Sequence, residues 1–418
     1  MLTICIDVTA VLPGGENGGA KPFVLELISG LARMAPKAEF VLLTRASSHQ
    51  ELATLDRGNL RRVTLVGAPD PGAGIDDARS RSGTLGSRLP GVVRRRFAQG
   101  AYHVSRRLKR LGRRRILSRI GADLLFCPFT APVFSVRNVP TVCTIYDLQF
   151  ADYPQFFEPE DRAHRRGAFV DACGRAAMLV AISDCTRASA IACGRLAPDR
   201  ITTIALRMKQ RPPPSATRAA EVLDRLGLVA RNYLLYPANF WRHKNHEMLL
   251  AAFGMACARG LPPDTMLVCT GVPGARRDFV RSAAAAFGLA HRVAFPGYLG
   301  DGEFTTVLAS AGGLIFPSLY EGFGMPVVEA MAAGVPVACS DATSLPEVAG
   351  DAALLFDPRR PDAIAQALLD LVLDHPLRLR LIEAGYRRAV HFSDADRMIL
   401  EYLGVFEQVL RGRREPWR

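Results

Sequence analysis

The apolar positions fall into short runs of four to seven residues, with little polar alternation inside them. In the first half these are Leu2–Val8, Phe40–Thr44, Val63–Val66, Asp123–Phe126, Thr141–Ile145 and Met178–Ile182. In the second half they are Tyr233–Pro237, Met266–Thr270, Val293–Pro296, Gly313–Phe316, Pro336–Cys339 and Ala353–Phe356. Runs this short, rich in Val, Ile and Leu and apolar on both faces, read as buried parallel strands. Each is followed by a stretch long enough for a crossover helix. The pattern predicts an α/β protein built of two Rossmann-like, doubly wound parallel-sheet domains.

The break between them falls at KQRPPPSAT, where three consecutive prolines forbid helix and central strand and favour a stiff extended linker. We therefore expect an N-terminal domain over 1–208, a linker over 209–217 and a C-terminal domain over 218–393. A last amphipathic segment, 394–418, carries Met398, Leu400, Leu403, Phe406 and Leu410 as its apolar positions. Two facing domains of this kind leave a cleft at the carboxyl ends of their strands, where ligands of open α/β sheets bind. Unusual residues just after strands are the ones to weigh.

Composition changes this picture little. The 418 residues are 49% hydrophobic and 22% charged, ordinary for a globular protein, and no apolar run reaches the length of a membrane span. The opening MLTICIDV reads as a first strand, not a signal peptide. Nine scattered cysteines form no CxxC pair, so buried thiols in a reducing cytoplasm are expected, with neither a zinc site nor a disulfide framework. The net charge of +13 is partly local: residues 79–119 hold fourteen Arg or Lys and no acid.

The densest candidate chemistry follows the run Gly313–Phe316, in PSLYEGFGMPVVEAMAAG. Gly322 and Gly324 permit positive φ and close backbone approach. Pro326 suits the first position of a helix that ends before Gly334. The N–H groups of Met325, Val327 and Val328 would then face the cleft, and a helix N-terminus of this kind binds phosphate. Glu321 and Glu329 flank the turn, each able to accept from two adjacent hydroxyls of a sugar or ribose. The plainer reading has Glu329 offsetting the helix dipole and Glu321 in solvent.

A second element is PANFWRHKNHE, with a helix beginning near Lys244 or Asn245, where Lys244 and Arg242 can reach a diphosphate. A third, PGGENGGAKPF, follows the first strand; its glycines make a phosphate-cradling or substrate-approach loop without being a GxGxxG fingerprint or a Walker loop. A fourth ends the run Thr141–Ile145, presenting Tyr146 and Asp147; Asp147 would either cap the next helix or orient a substrate hydroxyl. Two features look like metal sites and are better read otherwise. Asp394 and Asp396 have DxD spacing but start a helix, so capping is expected. His243 and His246 flank Lys244 without an evident third ligand, and we expect no metal.

Taken together these residues resemble the retaining glycosyltransferases of family 4, which have the GT-B fold. Glu321 to Glu329 matches their E-x7-E motif, and the likeness extends through YDLQFADYPQFF, AISDCTR, PANFWRHKNHE, FPGYL and SLPEVAGDAALLFDP. The YPQFF and HKNHE wording looks most like mannosyltransferases of surface-polysaccharide pathways. The resemblance implies a nucleotide-sugar donor, GDP- or UDP-linked, held mainly by the C-terminal domain, and no cofactor or divalent metal. It implies that Glu321 holds donor-sugar hydroxyls, Glu329 the ribose and Lys244 the diphosphate. The backbone of Gly322, Phe323, Gly324, Met325, Pro326, Val327 and Val328 would surround sugar and phosphate. Tyr298 and Leu299 would sit near the base, Gly18 and Gly19 near the donor phosphate or the acceptor. The terminal helix would cross back to the N-terminal domain. The chain departs from the family at two places: Tyr146 stands where His is usual, and Asn239 where Arg is frequent, with Arg242 placed to substitute.

The expected activity is transfer of a hexose, mannose first, to a glycan or lipid-linked saccharide hydroxyl. A catalytically impaired nucleotide-sugar-binding protein and a nucleotide-sugar epimerase are the rival readings. For the basic segment 79–119, apolar residues interleave with arginines, as in helices that lie on anionic membranes. A solvated insertion is the alternative, and no nucleic-acid recognition motif accompanies the charge. Residence in the cytoplasm, free or on the inner face of the membrane, follows from these readings.

Overall fold

A computed structural model describes residues 1–12, 19–65, 115–209 and 215–412. Gly18, most of the basic segment 79–119 and most of the linker 209–217 lie outside the described residues. Thirteen strands are described, in two sheets.

The seven-stranded sheet has β1 (Leu2–Asp7), β2 (Ala38–Thr44), β3 (Leu60–Thr64), β4 (Leu124–Cys127), β5 (Thr141–Ile145), β6 (Met178–Ala181) and β7 (Ile201–Thr203). Its order is β3-β2-β1-β4-β5-β6-β7, and β1 pairs in parallel with both β2 and β4. The six-stranded sheet has β8 (Tyr233–Pro237), β9 (Met266–Thr270), β10 (Val293–Gly297), β11 (Gly313–Phe316), β12 (Val337–Ser340) and β13 (Ala353–Phe356). Its order is β10-β9-β8-β11-β12-β13, and β8 is flanked in parallel by β9 and β11. The order reverses at β8, so the loops after β8 and β11 are where a ligand of such a sheet is received.

Central strands are buried on both faces: every residue of β4, β5, β6, β11 and β12 is buried. The thiols of Cys5, Cys127, Cys143, Cys269 and Cys339 are part of that packing, and all are free. No helix among the described residues is long and apolar enough to cross a membrane.

The chain forms two compact units. The first takes residues 1–144, 167–179 and 402–418; the second takes 145–166 and 180–401. In the first, Phe126 packs against Tyr402 and Phe406 at ring distances of 5.5 and 5.2 Å. In the second, Arg207 pairs with Glu401 at 2.6 Å. The terminal helix, Ala395–Arg411, buries Met398, Ile399, Tyr402, Val405 and Phe406. Leu400, expected among its apolar contacts, is 56% exposed instead. The buried set recurs at three- and four-residue steps from Met398, and Leu400 falls outside that stripe. Asp394 accepts the Arg397 N–H at 2.9 Å, so the DxD pair is a helix cap.

Candidate functional site

Lys244 is placed by the loop after β8. Residues Arg242–Lys244 make one 3₁₀ turn, closed by Asn245 at φ 63°, a left-handed conformation that Asn tolerates better than most residues. The Asn245 amide donates to the carbonyls of Pro317 (3.1 Å) and Pro358 (2.8 Å), tying this loop to the loops after β11 and β13. Tyr236 donates its hydroxyl proton to the Lys244 carbonyl at 2.6 Å, and Leu319 N–H donates to His243 O at 2.7 Å. The backbone under Lys244 is thus fixed from four sides before its side chain does anything.

Its ammonium lies 2.5 Å from Glu321 Oε1 and 5.4 Å from the centre of the Phe316 ring. Both side chains of the pair are only 12% exposed. The sequence suggests Lys244 and Glu321 separately; the structure joins them. Removing one partner of so desolvated a pair strands the other charge, which costs about 3–5 kcal/mol.

Beyond Glu321 the chain turns into the helix Met325–Ala332. Gly324 takes φ +105° at its N-cap, as expected of a glycine here. Gly322 does not adopt positive φ; its role is close approach. A Cβ at Gly322 would overlap the Tyr146 carbonyl oxygen and lie 3.0 Å from the Tyr146 carbonyl carbon and 3.4 Å from Asp147 Cβ. The helix opens one residue earlier than expected, so Pro326 is its second residue. The Val327 N–H, expected to be open to a ligand, donates to Gly324 O at 3.0 Å, because the first turn is tight. Glu329 sits one turn into this helix, half-buried. Phe323 and Val328 are buried, and Met325 and Pro326 partly so.

The Gly322 contact brings Tyr146 and Asp147 to the same turn. Asp147 is half-buried, and its carboxyl pKa is raised above the ordinary range. Burial is the main cause, reinforced by the charge on Glu321 and opposed by the Gln149 N–H, Arg165 and Lys244. The sign of the consequence follows from linkage: the folded state holds the proton to higher pH than the unfolded state, so stability falls as pH rises through that window. Asp147→Asn is therefore expected to raise the melting temperature at pH 7.5, where the enclosed carboxylate is ionised at a cost to the folded state. The gain disappears at about pH 2.5, below the ordinary carboxylate range, where Asp147 is protonated in both states. Melting curves at the two pH values check this; an equal gain at both refutes it.

His243 and His246 are held neutral. Burial, then Lys244 and Arg165, push His243 down to about 3; burial, then Lys244, Arg276 and His243, do the same for His246. The His246 ring sits 4.7 Å from Tyr236 and 4.6 Å from Phe240, a packed aromatic position. Among the described residues no group of three or more His, Cys, Asp or Glu could hold a metal ion.

The other candidates scatter. Arg242 is exposed beside Lys244. Asn239 Oδ1 accepts the Val272 N–H at 2.9 Å, so it anchors the loop after β9. Tyr298 is 60% exposed and Leu299 buried after β10. Gly19, in the first unit, caps the helix Ala20–Met34 at ordinary helical φ with open space around its Cβ position, so neither φ nor crowding requires glycine there. Sequence reasoning gave no role to Asn245, Thr343, Ser344, Thr186 or Glu347. Their long-range contacts cross from 21 to 163 residues of chain, and only the AISDCTR and SLPEVAG wording hinted at some of them.

Two parallel Rossmann-like sheets with this turn after β11 define a protein of the GT-B class. Sucrose-phosphate synthase from Thermosynechococcus elongatus superimposes with a TM-score of 0.73 at 21% identity, covering 99% of this chain and 100% of that one. Anabaena HepE, solved in complex with UDP-glucose, gives 0.70 at 16% identity, covering 97% and 100%. Residues 225–388 match the family model of the glycosyl transferases group 1, and this part of the chain belongs to that family. Among curated relatives, the O-antigen chain mannosyltransferase B of Escherichia coli is 31% identical over 258 residues, 60% of this chain and 66% of its own length. The MMP alpha-(1->4)-mannosyltransferase of Mycolicibacterium hassiacum is 40% identical over 116 residues, 27% of this chain and 28% of its own. The serotype-specific mannosyltransferase WbdA of E. coli is 27% identical over 291 residues, 66% of this chain and 35% of its own. The chain thus spans 66%, 28% and 35% of these relatives' lengths.

Proposed function

We propose that the protein is a retaining hexosyltransferase that moves mannose from GDP-mannose to a hydroxyl of a glycan or lipid-linked saccharide in surface-polysaccharide synthesis. The observation that carries this reading is the buried Lys244–Glu321 pair at the ends of β8 and β11, inside the group 1 domain. It combines a fixed cation for a diphosphate with an acceptor for sugar hydroxyls in one contact. The choice of mannose is supported by the names of the relatives.

In this reading Lys244 and Arg242 take the diphosphate, Glu321 the sugar, Glu329 the ribose, and Tyr298 with Leu299 the base. Negative charge develops on the diphosphate as the sugar–phosphate bond breaks. Lys244, Arg242 and the helix start at Met325 stabilise it without a divalent metal. The acceptor hydroxyl attacks from the face the diphosphate leaves, a leaving phosphate oxygen takes its proton, and anomeric configuration is retained. Burial raises the Asp147 pKa, so its carboxyl keeps its proton to higher pH than a free carboxyl and, when protonated, can donate to a sugar oxygen.

A melting-temperature panel of GDP- and UDP-sugars, run in EDTA, tests the donor. GDP-mannose is expected to give the largest rise, since a ligand at 100 times its Kd adds about 2.7 kcal/mol to the folded state. Transfer from GDP-mannose in the same buffer is expected to persist. A larger rise with a UDP-sugar overturns the donor, loss of transfer in EDTA overturns metal independence, and binding without transfer favours the impaired-protein reading.

A further inference from the structure

One short stretch of the second unit, Thr343–Glu347, touches the Glu321 turn at one end and a distant helix at the other. Thr343, a β-branched residue, is held at φ 54°, a conformation such residues avoid. In that pose its hydroxyl oxygen accepts the Glu321 N–H at 3.0 Å. Ser344 lies within donating distance of the carbonyls of Glu321 (2.9 Å) and Phe323 (3.1 Å). Leu345 packs on Gly324, where a Cβ would come within 2.5 Å of Leu345 Cδ2. Three consecutive side chains therefore grip the backbone that carries Glu321.

At the far end, the Glu347 carboxylate accepts two N–H groups from one helix start, Asp184 at 2.8 Å and Cys185 at 3.0 Å. These open the helix Asp184–Gly194, whose Thr186 N–H is already capped by Ser183 Oγ at 3.1 Å. A carboxylate on the first N–H groups of a helix is a strong, charge-assisted contact. The Thr186 hydroxyl in turn lies 3.3 Å from Tyr146 O and 3.4 Å from Gly322 O. The path closes on itself: Glu321, residues 343–347, residues 184–186, Tyr146, and back to Gly322.

We propose that Glu347 is a positioning residue. It holds the helix start whose Thr186 fixes the Tyr146–Asp147 backbone against the Glu321–Gly322 turn, and thereby sets Asp147 against the Lys244–Glu321 pair. The catalytic consequence rests on the function proposed above. The positional part does not.

The test compares wild type with Glu347→Ala, Glu347→Gln and Thr186→Val. Hydrogen exchange on the protein without donor reads position directly. Glu347→Ala is expected to speed exchange about tenfold at the amides of Asp184, Cys185, Leu148 and Gln149, leaving Leu234–Tyr236 unchanged. Turnover from GDP-mannose, normalised to the sites that bind GDP, reads the catalytic part. The expected order is wild type, then Glu347→Gln with one acceptor oxygen left, then Glu347→Ala down about thirtyfold. Thr186→Val falls in the same direction, and Kd for GDP stays within threefold throughout. Unchanged exchange at Leu148 and Gln149 overturns the positioning. Unchanged turnover per GDP-binding site, or GDP affinity falling as far as turnover, overturns the link to catalysis and leaves Glu347 a general structural support. Should Glu347→Ala fail to fold, Glu347→Gln and Thr186→Val carry the same comparison. If wild type neither binds GDP nor transfers mannose, the proposed function falls together with the catalytic link, while exchange still decides the positional claim.

Discussion

Lys244→Ala is expected to lower turnover by about 10²–10³-fold, the usual loss when one preorganised donor to developing charge is removed. Two effects are folded into that number. The side chain is desolvated against Glu321 at 2.5 Å, so its loss leaves a carboxylate enclosed without its cation and lowers stability as well. A second substitution separates them. Lys244→Ala with Glu321→Gln removes the stranded charge, and its melting temperature should return most of the way to wild type. Turnover should not return, because the diphosphate still lacks its cation and the sugar has lost its carboxylate. If the double variant instead regains turnover, Lys244 serves only to neutralise Glu321. Lys244→Arg keeps the charge but brings a planar fork into a space shaped by Phe316, and is expected to retain a small fraction of activity.

How far the sequence carries is seen in the same residues. β5, β8, β9, β11 and β13 run over the same residues as the apolar runs that predict them; the first four are almost wholly buried, whereas β13 is an edge strand with Leu355 exposed. β3 begins at Leu60, earlier than expected, since Arg61 and Arg62 on an edge strand hide it from an apolar count. β7 is three residues long, below what a pattern resolves. Glycine and proline punctuation located the Glu321 turn, and strand-end position located Lys244. Their pairing across 77 residues of chain left no local trace. For Gly322 the sequence allows positive φ or close backbone approach; the structure shows the second and supplies what the sequence lacks, the neighbour Tyr146 that leaves no room for a Cβ. Properties of one segment are legible in its own residues; contacts between distant segments need the fold.

That distinction makes Gly322→Ala a second large effect. The added methyl meets backbone, the Tyr146 carbonyl, on a segment that Thr186 and Leu148 also hold by hydrogen bonds. Backbone cannot rotate aside as a side chain can, so the turn and the Tyr146–Asp147 segment must separate. Overpacking of this kind costs about 1–3 kcal/mol. Turnover should fall further than stability, because a 1 Å displacement of reacting groups can cost about a hundredfold in rate. The comparison is Gly404→Ala, in the terminal helix with nothing near its Cβ position, which is expected to leave turnover alone and to gain up to about 1 kcal/mol in stability from helix propensity. Kinetics and melting of the two alanine variants side by side decide the matter. If Gly322→Ala turns over as fast as Gly404→Ala, the Tyr146–Asp147 segment plays no part in the reaction, and the candidate site shrinks to Lys244, Glu321 and the helix start beyond them.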